Sequence, residues 1–161
     1  MIYDVALLFL YNDRVSIFAL KIIMQIPVLP AASTDLQEIH FLAKNFDLDI
    51  ENISWQQFVV VKKEEHVIGF GRLRTYPQCT EVATVGVIPS ERNKGIGTAI
   101  VQALIRLSPA ELYVTCVIPD FFGMLGFEKV KQYPSVLQKK VDFCKLYDFS
   151  DEQIFVMKRG K

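Results

Sequence analysis

The stretch Arg92-Asn93-Lys94-Gly95-Ile96-Gly97-Thr98 carries the residue types and spacing that could do chemistry in this chain. A β-branched run, Glu81 to Ile88, leads into it through Pro89-Ser90-Glu91, and an apolar-periodic segment leaves it. That pattern predicts a strand, a turn and a helix from about Asn93 to Leu107. The first amides of a helix have no intrahelical acceptor, and the helix dipole directs its positive end at the turn. Gly95 and Gly97 remove side chains where those amides must be reached. Such a turn is a site for phosphate. Arg92 and Lys94 add positive charge beside it, and Thr98 adds a hydroxyl donor. Ile100 stands where a dinucleotide fingerprint needs its third glycine, and no Gly-Lys-Ser/Thr completes a P-loop. The alternative is an ordinary strand-turn-helix connection with two glycines for close packing.

Gly86 lies between Val85 and Val87 in the preceding run. A glycine inside a strand points to a bulge or to the close approach of another group. A bulge here would part the strand from its parallel neighbour, Leu112 to Ile118, and leave amides free for an extended ligand arm. A glycine tolerated on a crowded sheet face is the other reading. Arg72 and Arg74 alternate with Phe70. If their face meets the cleft, they could grip a substrate carboxylate by forked hydrogen bonds; otherwise they are solvated strand charges. Cys116 reads as a buried structural thiol and Lys139-Lys140 as a solvated helix face. His40 is expected on a helix surface, His66 in a hairpin turn, and Trp55 and Phe58 in the core.

Several elements must position these groups. Ser33-Thr34-Asp35 reads as a helix N-cap, with Thr34 and Gln37 at capping-box spacing. Leu36, Ile39, Leu42, Ala43 and Phe46 then recur at helical intervals, with an end near Asn45 to Asp47. A short second helix is expected within Asp47 to Ser54. Phe58 to Val61 and His66 to Arg74 form a hairpin around the polar Lys62 to Glu65, and Tyr76-Pro77-Gln78 breaks it. The later helix buries Ile96, Ile100, Ala103, Leu104 and Leu107. Leu112 to Ile118 is a strand, Asp120 caps a short helix through Leu125, and Phe127 to Lys131 starts another strand. Val136 to Tyr147 reads as helix and Ile154 to Met157 as strand. The order implies an α/β class: a mixed, mostly antiparallel central sheet with a splayed parallel pair, flanked by helices.

With 161 residues, the chain is long enough for one self-sufficient domain. Eighteen basic and eighteen acidic residues give zero net charge, which argues against a nucleic-acid binder held by a global positive field. Cys79, Cys116 and Cys144 are widely spaced, and His40 and His66 are the only histidines. These spacings supply no zinc set, so no metal is expected, and three reduced thiols suit the cytoplasm. Residues 1–23 are set apart as an N-terminal extension, and residues 24–161 as the domain. Asp4, Asn12, Asp13, Arg14 and Lys21 break the extension into runs too short to span a membrane, and no basic region begins it as in a secretory signal. An uncleaved anchor, an element packed on the domain, and a natural start at Met24 stay open.

Glu81 to Thr98, followed by Phe121-Phe122-Gly123-Met124-Leu125-Gly126-Phe127, resembles the GNAT N-acetyltransferase superfamily. Its signature is Gln/Arg-x-x-Gly-x-Gly/Ala after a strand and a Pro-containing turn, with a later Leu-Gly-Phe. The likeness covers about Gln25 to Met157. Pro119-Asp120-Phe121-Phe122, Tyr133-Pro134 and Cys144 are partly similar to its amino-acid, N-acetylglutamate synthase-like branch. The resemblance implies acetyl transfer from acetyl-CoA to a primary amine of a small molecule, an amino acid among the candidates, by direct attack in a ternary complex. By motif position, Arg92, Asn93, Lys94, Gly95, Ile96, Gly97 and Thr98 would hold the pyrophosphate. Val85, Gly86 and Val87 would bind the pantetheine arm, beside Phe122. The Val85 amide would stabilise the oxyanion, and Glu81 would act as general base through water. The position where the family often carries an acidic Tyr is Phe122; Tyr133, Tyr113, water or unassisted thiolate departure would replace it. A non-catalytic coenzyme A sensor and a protein N-terminal acetyltransferase are the alternatives. A homodimer is a possible assembly; neither nucleic acid nor membrane is implied as a partner.

Overall fold

The computed structural model describes residues 26–108 and 111–160, so the readings on residues 1–23 lie outside the described residues. Seven strands form one sheet: β1 (Leu29–Pro30), β2 (Phe58–Lys63), β3 (His66–Thr75), β4 (Thr80–Val87), β5 (Leu112–Cys116), β6 (Glu128–Lys129) and β7 (Phe155–Arg159). Their spatial order is β1-β2-β3-β4-β5-β7-β6. All neighbours are antiparallel except β4 and β5, as the sequence implies. The helices are α1 (Leu36–Asn45), α2 (Ile96–Leu107), α3 (Pro119–Gly123) and α4 (Gln138–Lys145).

The sheet is covered on both faces, which explains why β2 reads as an unbroken apolar run. Successive side chains of a strand point to opposite faces. Val59 and Val61 meet Ile96, Ile100 and Leu104 of α2. Phe58 and Val60 meet Ile39 and Ala43 of α1. A third cluster joins Leu137 and Val141, around α4, to Ile154 and Val156. Within α2, Val101 is buried while Leu107 is exposed, correcting the expected stripe at its last turn. Gly95 occupies the N-cap with φ 83°, so α2 begins at Ile96, later than its periodicity suggests.

Two local expectations fail. The Asp35 carboxylate accepts the Ala32 amide at 2.8 Å and pairs with Lys62 at 2.6 Å, so Asp35 rather than Thr34 organises the entry to α1. Asp47 to Ser54 is irregular rather than helical. Its carbonyls and carboxylates are drawn instead to arginines of β3.

Gly86 is not the bulge. Register pairs Arg72 with Ala83 and Phe70 with Gly86, so Gly71 faces both Thr84 and Val85. The extra residue sits there, and Thr84 has φ 52°. Gly86 answers to crowding: a Cβ on it would stand 2.6 Å from Phe70 Cζ and 3.0 Å from Phe46 Cδ2.

Candidate active site

β4 and β5 pair only through Thr80–Leu112 and Glu81–Tyr113. Beyond Glu81 they diverge, because the Thr84 bulge turns β4 away. A cavity of about 640 Å³ opens in the fork, lined by Glu81 to Val85, Val114 to Ile118, Phe121 and Phe122. Asp47 to Asp49 and α4 close its other side.

Glu81 lies at the vertex and is 2% exposed. Burial pushes its carboxyl up to about 7. Tyr76 Oη opposes the rise by donating to Glu81 Oε2 at 3.1 Å, as do the charges of Arg74 and Arg72. A carboxylate of this kind is half ionised near neutrality, the working range of a general base.

The Thr84 bulge is held from behind. Arg72 Nε donates to Thr84 Oγ1 at 2.9 Å, and Thr84 Oγ1 donates to the Asp49 carbonyl at 2.8 Å. Arg72 Nη1 reaches the Glu51 carbonyl and Gln57 Oε1; Nη2 reaches the Asp49 carbonyl. The guanidinium is fully buried, and burial lowers it to about 10, still charged at neutral pH. Neither Arg72 nor Arg74 lines the fork cavity. Arg74 binds Asp49 Oδ2 and Glu51 Oε2, each at 2.9 Å. It borders a smaller cavity of about 290 Å³ with Tyr76, Asn52 and Lys139.

Lys140 is buried, not solvated, and pairs with Asp49 Oδ2. Lys140, Phe143, Cys144 and Tyr147 recur three, four and seven residues apart, and all four line the fork cavity. That spacing was the signal for an inward face of α4, obscured by the two adjacent lysines. Cys116 is buried, donates to Met157 Sδ at 3.7 Å, and is pushed by burial up to about 11. Of the described tyrosines, Tyr147 lines the fork cavity, whereas Tyr113 and Tyr133 do not. Phe122 packs edge-on between Phe121 and Phe127.

At the other end of β4, Arg92, Asn93, Lys94 and Gly95 are exposed. The amides of Ile96, Gly97 and Thr98 precede the first helical bond, Ala99 N–H to the Gly95 carbonyl at 2.9 Å. They are therefore donors awaiting an acceptor at the positive end of α2. Arg92 Nε is tied to the Val87 carbonyl at 2.9 Å, and Lys94 pairs with Glu91. Gly97 lies beside Phe121, where a Cβ would make ordinary contact at 3.6 Å. No helix among the described residues is long and apolar enough to cross a membrane.

No curated protein matches the chain. Among solved structures, it is similar to Rv2747 from Mycobacterium tuberculosis in complex with CoA and NLQ. The TM-score is 0.66 at 22% identity, covering 84% of this chain and 99% of that one. It is also similar to N-acetylglutamate synthase from Neisseria gonorrhoeae complexed with coenzyme A and N-acetyl-glutamate. There the TM-score is 0.67 at 16% identity, covering 83% of this chain and 34% of that longer one. PaiA N-acetyltransferase from Thermoplasma acidophilum in complex with coenzyme A gives a TM-score of 0.57 at 13% identity, covering 84% and 98%. At these identities the likeness is one of fold. The model of the acetyltransferase (GNAT) family matches residues 27–127. With more than half of its length inside that match, the chain belongs to the acetyltransferase (GNAT) family and is an acetyl-CoA-dependent acetyltransferase.

Proposed function

We propose that the protein acetylates the primary amine of an amino acid or a closely related small molecule, by direct attack on acetyl-CoA in a ternary complex. One observation carries this reading: a buried carboxylate, Glu81, poised near 7, stands at the vertex of the cavity into which the forked strands open. Glu81 removes the proton of the acceptor ammonium. The free amine attacks the thioester carbonyl, whose oxygen takes the developing charge against the Val85 amide. The pantetheine arm follows Val85, Gly86 and Val87, with Phe122 as apolar wall. The diphosphate meets the amides of Ile96, Gly97 and Thr98, next to Arg92, Asn93, Lys94 and Gly95. As the C–S bond breaks, the thiolate leaves without a protein acid, since a thiol with an ordinary pKa of about 8.5 is already a fair leaving group, and it takes up through water the second proton shed by the acetylated nitrogen.

The preference for an amino acid rests on charge. Arg72, Arg74 and Lys140 converge on Asp49, and Glu51 takes one further contact from Arg74. Arg72 and Arg74 also face Glu81, so once Glu81 has taken the proton of the ammonium three cations face two carboxylates, and the positive charge then left over is one that an acceptor carboxylate would balance. In this reading Lys140, which lines the fork cavity, meets that carboxylate, while Arg72 serves the bulge and Arg74 holds Asp49 and Glu51. Thiol release from acetyl-CoA, measured against proteinogenic L-amino acids, simple alkylamines and short peptides, tests the assignment. Turnover is expected with amino acids and to fall when the carboxylate is amidated. Turnover with peptides alone would instead favour protein N-terminal acetylation. Coenzyme A binding without turnover of any amine would favour a sensor.

A further inference from the structure

Glu81 opens on the fork cavity, but its hydrogen-bond partner Tyr76 opens on the other one. The two cavities share Asp49, Lys140 and Phe143 as a common wall. The Tyr76 Oη to Glu81 Oε2 bond of 3.1 Å connects the two sides of that wall. Glu51, Asn52 and Lys139, all exposed, bring the smaller cavity to the surface. The fork cavity has no such freedom during turnover, because acetyl-CoA and the acceptor occupy it together. A base that is 2% exposed must still return its proton to solvent before the next cycle.

We propose that Tyr76 is a proton-relay residue, passing the proton taken by Glu81 through the wall into the smaller cavity. The proposal rests on Glu81 being the base. The acceptor ammonium gives its proton to Glu81 and keeps the nitrogen lone pair. The Glu81 O–H proton then moves to Tyr76 Oη while the phenol's own proton moves to water in the smaller cavity. The net transfer is one proton from ammonium to solvent. Glu81 is again a carboxylate and Tyr76 again a phenol that rotates back to donate. Burial, the largest influence on the phenol, raises its pKa, so it stays neutral and conducts rather than stores the proton.

The groups facing this pair are Arg72 and Arg74 on β3, Cys79 in the following turn, Thr115 on β5, and Lys140 and Cys144 on α4, with Asp49 behind them. Arg74 lies over the Tyr76 ring at 5.1 Å. None of these is a neutral hydroxyl bridging the two cavities.

The test compares wild type, Tyr76→Phe and Glu81→Gln with acetyl-CoA and the fastest acceptor among the proteinogenic L-amino acids. Tyr76→Phe is expected to lower kcat about tenfold or more, leave KM for acetyl-CoA unchanged, and recover as imidazole is added to the buffer. A tyrosine that only supports the fold would not respond to imidazole. Carbon-13 titration of the Glu81 carboxyl provides a readout without turnover. Loss of the phenol donor should move its midpoint above the wild-type value, because that bond favours the charged form. Wild-type kcat, an imidazole-insensitive loss, or an unchanged midpoint in Tyr76→Phe overturns the relay and leaves the base reading intact. A wild-type pH profile in Glu81→Gln overturns the base reading, and the relay with it.

Discussion

Arg72 Nε lies 2.9 Å from Thr84 Oγ1, and Thr84 is the residue whose left-handed backbone breaks the register of β4. A non-glycine residue in that conformation is strained by about 1–3 kcal/mol, so it persists only when its surroundings hold it. The buried arginine and the Asp49 carbonyl are those surroundings. The same contact that satisfies the guanidinium therefore maintains the fork and aims Val85.

Thr84→Gly should keep most of its activity, since glycine adopts φ 52° without support, whereas Thr84→Val should lose it. Steady-state kinetics with both variants checks this; equal losses would mean that the hydroxyl matters for another reason. Arg72→Met should cost about 2–5 kcal/mol in urea unfolding, because it takes the donor from the Glu51 and Asp49 carbonyls and Gln57 Oε1 in the interior, while Arg74 and Lys140 still hold the Asp49 carboxylate.

Glu81→Gln tests the base and its sign with pH. Only ionised Glu81 accepts a proton, so the wild-type rate should rise with pH through about 7. Glutamine should abolish that rise, with the largest deficit between about 7 and the pKa of the acceptor amine. Below about 7 the deficit shrinks, because burial keeps Glu81 protonated there.

The same shift makes a stability prediction. The carboxyl titrates near 7 when folded against an ordinary 4.5. Between these values the folded state holds the extra proton, so stability falls as pH rises through the window. Glu81→Gln should thus be the more stable protein at pH 8, by up to about 3 kcal/mol, and nearly indistinguishable at pH 4. Urea denaturation at the two pH values decides it.

Gly97→Asp should weaken coenzyme A binding about tenfold or more in calorimetric titration, with the melting temperature little changed. The position has room for a Cβ, and the added carboxylate would face the amides proposed to hold the diphosphate. Unchanged affinity would remove the diphosphate from this turn.

Gly86→Ala should act on the fold instead. Its methyl would strike the Phe70 and Phe46 rings, which are stacked with centroids 6.3 Å apart, and should cost about 1–3 kcal/mol. Thermal unfolding reads the loss directly.

The sequence by itself determined the exposed turn before α2 and the order of elements around it. A glycine N-cap, a helix start and an apolar period act over a few residues, so neighbouring side chains suffice to specify them. It also placed Glu81 at the head of the strand that forks. Only the tertiary structure decided what surrounds that carboxylate. Arg72 meets the Asp49 carbonyl across 23 residues of chain and Thr84 meets it across 35. Lys140 arrives from a helix near the other end. Tyr76 read as a hairpin breaker because its hydroxyl partner is set by how the turn folds back, not by its neighbours. Burial and charge pairing are sums over groups distant in sequence, and they alone raise Glu81, bury Arg72 and move the bulge from Gly86 to Thr84.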